Sequence, residues 1–229
     1  MMQNLGAMPT LGDAGGTSLW SLFMQSFDVF TVLLLAGSLV GVAAAFLCVF
    51  EVRERAIVPR ALADRLESLA REGLTHEVRD EVLRDDTFVS RVVRAGLERD
   101  VTDKLAMREA AELAASEESA RWFRKIDILS VIGNLGPLVG LAGTVWGMIL
   151  AFTSLGDAGG QAGPAQLSLG ISKALFHTLL GLCLAIPCLL VFGIYRGIVD
   201  RLCTRGIVVA SRVLEGLANH GAASGAARK

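Results

Sequence analysis

Three stretches of this chain carry no Asp, Glu, Lys or Arg over lengths that cross a bilayer: residues 29–50, 128–156 and 174–195. About 20 consecutive apolar residues suffice for one helix to traverse the hydrocarbon core. Of the 229 residues, 52% are apolar, 20% are charged, and the mean hydropathy is +0.52. These values exclude a soluble globule, and polar stretches do not dominate as they do in a disordered chain. Aromatic residues make up 6% and the net charge is −1. Neither a stacking surface nor a basic footprint for nucleic acid is present.

Charge placement sets the expected orientation. All 22 Lys and Arg fall at or after Arg53. Arg53 and Arg55 follow the first apolar run, and Arg121, Arg124 and Lys125 precede the second. Cytoplasmic flanks are rich in Lys and Arg, so the N-terminus is expected outside and the C-terminus inside. Residues 1–28 hold no basic residue, so the positive n-region of a cleavable signal peptide is missing and 29–50 reads as a retained span. Cys48, Cys183, Cys188 and Cys203 form no CxxC pair and read as small hydrophobes.

The expected organisation is all-α, with three transmembrane helices and a large cytoplasmic helical region. Residues 1–28 form an extracytoplasmic segment, with a short apolar piece around 19–27 lying in the interface. Residues 29–50 are span one and 51–127 the cytoplasmic helices. Span two covers 128–156, a short external link 157–169, span three 170–195, and a cytoplasmic helix and frayed tail 196–229. Within 51–127, Leu62, Leu66 and Leu69 recur at helical spacing and Gly73 is placed to cap that helix. Val78, Val82, Leu83, Val89, Val93 and Leu97 continue a broken apolar stripe. Residues 104–128 read as one helix entering span two. The solvated faces carry charges of alternating sign.

Spans two and three carry the informative residues. Gly136, Gly140, Gly143 or Thr144, and Gly147 recur at steps of three or four; so do Gly170, Ala174, Thr178, Gly181 and Ala185. Small faces let membrane helices approach closely, either each other or further copies. Pro137 and Pro187 are expected to kink their helices. Thr144 and Thr178 read either as interhelical hydrogen bonds or as the lining of a polar path. Lys173 and His177 are ionisable residues where such groups are expensive. Lys173 is placed to snorkel. His177, two to three turns into span three, reads either as a neutral ring bonded to a carbonyl or as a proton relay. No metal-ligand spacing, phosphate-binding glycine loop or nucleophile elbow occurs, so neither an enzyme, a metal site nor a cofactor is expected.

Two blocks resemble the MotA/TolQ/ExbB proton-channel family, and more closely its ExbB- and TolQ-like subunits. One is Pro137-Leu138-Val139-Gly140-Leu141-Ala142-Gly143-Thr144-Val145-Trp146-Gly147-Met148. The other is Gly170-Ile171-Ser172-Lys173-Ala174-Leu175-Phe176-His177-Thr178-Leu179-Leu180-Gly181-Leu182, followed by Ala185-Ile186-Pro187. The resemblance implies a bacterial inner-membrane, ion-conducting stator that turns proton or sodium motive force into mechanical work. It implies a pentamer around a single-span ExbD-, TolR- or MotB-like partner with a membrane Asp, and a TonB- or TolA-like energy transducer beyond. It places Thr144 and Thr178 on the ion route, facing that Asp. The chain departs from the family pattern at Lys173, where an acidic residue is usual, at His177, where a small one is usual, and at Val139 and Ala142, where Leu is usual. The charge reversal at Lys173 leaves a second reading open: a non-conducting scaffold of the same fold.

Overall fold

The computed structural model describes residues 24, 26–99, 103–157 and 164–226. The described residues contain α-helices and no strand. The helices are α1 (Val29–Glu51), α2 (Glu54–Ile57), α3 (Arg60–Arg71), α4 (Thr75–Arg84), α5 (Phe88–Leu97), α6 (Lys104–Asp157) and α7 (Pro164–Ala226). Helices α1, α6 and α7 each contain a window apolar and long enough to cross a membrane. The expected interfacial piece 19–27 falls mostly outside the described residues, as do 158–163 of the external link and the last three residues of the tail.

The described residues form two compact units. One comprises Gly41–Val131 with Cys188–Lys229. It is built by α2–α5 together with the charged portions of α6 and α7. Ile57, Val58, Leu66, Val78, Val82, Phe88, Val93, Leu97, Met107, Ile126 and Leu217 are almost wholly removed from solvent and make its core. Helix α4 packs on α3 and α5, and α5 also meets α2. Gly206 lets α7 approach α5: a Cβ there would lie 2.6 Å from the Phe88 ring. Arg53 stacks over Phe50, Lys125 over Trp122, and Arg196 over both Phe123 and Phe192, with the cation 4.5–5.8 Å from the ring centroid. Cation–aromatic pairs beside apolar runs suit the headgroup level of a bilayer.

The expected stripe is present with two differences. Leu69 is only half-buried, and Leu83 is 59% exposed. Leu83 lies in the last turn of α4, where Asp85 is extended and the helical phase restarts at Phe88. The tail expected to fray continues α7 through Ala226. At the end of α3, Gly73 adopts φ +74°. Its N–H donates to the Ala70 carbonyl and that of Leu74 to the Leu69 carbonyl. This Schellman pair satisfies carbonyls that the helix end leaves open, in a conformation that suits glycine.

The second unit comprises Met1–Val40 with Ile132–Pro187. Here α1, α6 and α7 bring together small faces, while Val29, Leu39, Leu138 and Leu175 point outward, 59–80% exposed. Outward apolar side chains are what lipid or further membrane helices cover. Pro137 and Pro187 lie inside the continuous helices α6 and α7. Each removes one N–H from the ladder, at the expense of the carbonyls of Gly133 and Cys183. Helix α7 begins at Pro164, ahead of the expected start of span three at 170.

Candidate functional site

The site is built on a contact that only glycine permits. A Cβ at Gly140 would lie 2.8 Å from the His177 carbonyl oxygen and 3.1 Å from Thr178 Cα. At Gly147 it would meet Ala174 Cβ at 2.9 Å, and at Gly170 it would meet Ala151 Cβ at 2.6 Å. Gly136 and Gly181 face each other so closely that a Cβ on Gly181 would be 2.5 Å from the Gly136 carbonyl oxygen. Gly143 leaves room for the His177 ring. The glycine faces of α6 and α7 therefore meet each other within one chain, backbone against backbone. Ala174 and Ala185 are buried in the same unit.

This approach joins the two threonines. Thr144 and Thr178 share a short hydroxyl–hydroxyl hydrogen bond. Thr144 Oγ1 also lies 3.0 Å from the carbonyls of Gly140 and Ala174, and Thr178 Oγ1 lies 3.4 Å from that of Gly140. A hydroxyl has one proton to give. One hydroxyl therefore donates to the other, which donates to a carbonyl. Both side chains are half-buried, so each is also partly open. Interhelical hydroxyl bonds of this kind contribute about 0.6 kcal/mol on average. An ion or a carboxylate can displace one at small cost.

His177 lies next to this pair on α7 and faces α1. Its Nε2 is 3.0 Å from Asp28 Oδ1 and 3.2 Å from Thr31 Oγ1. Thr31 Oγ1 donates to the Ser26 carbonyl at 2.6 Å, and the Thr31 N–H donates to Asp28 Oδ1 at 3.0 Å. With the hydroxyl proton so used, the Nε2–H is the donor to Asp28. Thr31 and His177 are 0% and 2% exposed, so this is a buried polar cluster. Burial pushes the Asp28 carboxyl up, but the Thr31 N–H, the His177 bond and the His177 charge outweigh it and hold it below its ordinary range. His177 Nδ1 and Ser26 Oγ are buried and have no partner among the described residues. The ring of Phe30 meets His177 edge-on at 6.3 Å.

The ring is thus bonded to a carboxylate and a hydroxyl, not to a carbonyl. Asp28 immediately precedes α1, so His177 lies level with the N-terminal end of that helix while α7 extends beyond it. Lys173, one turn earlier on α7, is half-buried and forms no ion pair or hydrogen bond among the described residues. In sequence terms Asp28, Thr31 and Ser26 carry no conspicuous signal. Asp28 reads as a polar flank of span one, and its partner lies 149 residues away. The available hint was that Asp28, like Asp157 and Lys173, is a charged residue adjoining an otherwise uncharged run on that side. No group of three or more His, Cys, Asp or Glu is placed to hold a metal ion among the described residues.

Residues 84–206, more than half of the chain, match the MotA/TolQ/ExbB proton channel family. The chain belongs to that family. Among curated relatives, the putative biopolymer transport protein ExbB-like 1 of Synechocystis sp. is 43% identical over 89 residues, covering 38% of this chain and 35% of the relative. The biopolymer transport protein ExbB of Pseudomonas putida is 24% identical over 197 residues, covering 81% of this chain and 59% of the relative. The Tol-Pal system protein TolQ of Pseudomonas aeruginosa is 36% identical over 84 residues, 37% of this chain and 36% of the relative. The chain thus spans between about a third and three-fifths of the length of these relatives. The structure of C. jejuni MotAB shares the fold, with a TM-score of 0.57 and 16% identity over 86% of this chain and 80% of that one. Family membership and three apolar helices make this a multi-pass membrane protein.

Proposed function

We propose that the chain is an ion-conducting stator subunit of an ExbB/TolQ-like motor in a bacterial inner membrane. It couples proton or sodium motive force to mechanical work through a single-span ExbD/TolR-like partner with a membrane Asp. The observation that carries this reading is the half-buried Thr144–Thr178 pair, set where two glycine-faced membrane helices touch. Paired hydroxyls on a path between helices offer oxygen ligands that exchange easily, which suits a conducted ion better than a stored one. In this reading α1 runs inward, the α2–α5 unit is cytoplasmic, several copies (a pentamer) surround the partner, and a TonB/TolA-like transducer receives the work. The chain acts as a conductor and not as an enzyme.

The test is ion flux into liposomes that hold the chain with the single-span partner encoded beside it, under a pH or sodium gradient. Thr178→Ala or Thr144→Ala is expected to lower flux at least tenfold while the complex still assembles. Undiminished flux in the assembled double variant would overturn the reading.

Lys173 favours a second reading, a non-conducting scaffold of the same fold. A half-buried cation without a described partner repels cations from its surroundings. Flux that is absent in the native complex but appears with Lys173→Glu is the outcome expected of a scaffold.

A further inference from the structure

The Asp28–His177 pair is not explained by the threonine route. A buried polar pair that only fastens two helices has its hydrogen-bonding groups satisfied. Here two buried atoms of the same cluster, His177 Nδ1 and Ser26 Oγ, have no partner among the described residues. The ring is 2% exposed, but its carboxylate partner is one-third exposed. The cluster therefore joins an open end at Asp28 to a closed end at Nδ1. Around the ring, the residue before α1 contributes Asp28, α1 contributes Thr31, α6 contributes Gly143, which has no side chain, and α7 contributes Lys173 one turn away. Asp28 is the carboxylate in contact with the ring, and Lys173 is the nearby cation of the same helix.

We propose that Asp28, Thr31 and His177 form a proton-exchange site at the N-terminal end of span one, through which a proton passes between water and the buried ring. The proposal rests on the stator reading for what the proton drives, but not for its own chemistry. In release, the Nε2–H bond of the imidazolium breaks as an O–H forms on the Asp28 carboxylate, and the ring is left neutral with its remaining proton on Nδ1. The Asp28 acid then gives that proton to water at its exposed face and is again a carboxylate. Uptake is the reverse: a hydronium ion protonates Asp28, whose O–H breaks as the Nε2–H forms. The Nδ1–H, which faces no acceptor among the described residues, is kept throughout. Imidazole is the side chain whose charge changes within the physiological range, and an adjoining carboxylate favours its charged form.

The chain contains three His in all, His76, His177 and His220, so 15N-histidine spectra of the full chain with its partner in liposomes can be assigned. The His177 signal is expected to differ between spectra recorded at about pH 8 and about pH 5. In Asp28→Asn, which keeps the shape and removes the charge, that difference is expected to shrink. His76 and His220 should not respond. Proton flux in the same vesicles should fall at least tenfold in Asp28→Asn and His177→Gln. A His177 signal identical at both pH values, or one indifferent to Asp28→Asn, overturns the proposal. So does full proton flux in both variants, and if Thr178→Ala abolishes flux in that case, the stator reading survives alone. Conversely, a His177 that titrates and responds to Asp28→Asn in a complex that never conducts leaves the exchange site standing and removes the stator.

Discussion

At Gly140 the space for a side chain is already occupied, by the carbonyl of the residue that carries the buried ring. Gly193, on the same α7 that Gly140 touches, has nothing within 4 Å of where a Cβ would go. The two positions make a matched test. Gly140→Ala must push α6 from α7 and is expected to cost about 1–3 kcal/mol, as overpacking does. Gly193→Ala should be neutral or gain up to about 1 kcal/mol from helix propensity. Thermal unfolding in one detergent compares them, and equal midpoints would show that the contact is slack. The glycine steps were legible in the sequence because the helical period is local. What each glycine faces was not, since Gly140 and Thr178 meet only after folding. The same limit hid Asp28: its carboxylate is unremarkable until α7 brings His177 to within 3.0 Å.

Among the elements, α3 and α4 follow directly from their sequence pattern. Leu62, Leu66, Val78 and Val82 repeat at helical spacing and are buried. The pattern failed at Leu83, since periodicity does not reveal where one helix stops and the phase begins again. Gly73 was legible as a stop, and its φ of +74° explains why. Gly73→Ala is expected to destabilise this unit by about 1 kcal/mol for the left-handed conformation. A further loss is expected because the new methyl would meet the His220 ring at 3.0 Å. A smaller variant of the effect, in which His220→Ala relieves part of the loss, would identify the ring contact. Hydrogen exchange at Leu74 and Gly73 measures it locally, because both amides belong to the cap. An unchanged exchange rate would mean that the cap does not limit local opening.

For the whole molecule, the charged unit ties distant segments by ion pairs. Glu54 is bonded to Arg60 at 2.7 Å and to Arg205 at 2.8 Å, and Arg91 joins Asp86 to Glu118. Arg60 first, and Arg205 with it, hold the Glu54 carboxyl below its ordinary range; Arg91 does the same for Asp86. A carboxyl lowered by folding stabilises the fold above its unfolded value, and the contribution is lost as pH falls through the lowered one. The thermal midpoint of the purified chain should therefore drop on acidification below about pH 4, with Asp86→Asn drop smaller. These pairs are solvated, so added salt should blunt the effect; a midpoint flat from about pH 5 to about pH 2 would show that they contribute nothing. Long-range ties of this kind were not readable beforehand, whereas the three membrane helices were, because hydrophobic length is a property of each segment alone. The crowded glycines have a last consequence, for inheritance. Every single-base missense change in a glycine codon adds a side chain. Where that side chain would have to share space with a backbone carbonyl, as at Gly140 and Gly181, the gene has no mild amino-acid alternative one step away, and a lineage can leave such a position only after the opposite helix has first moved.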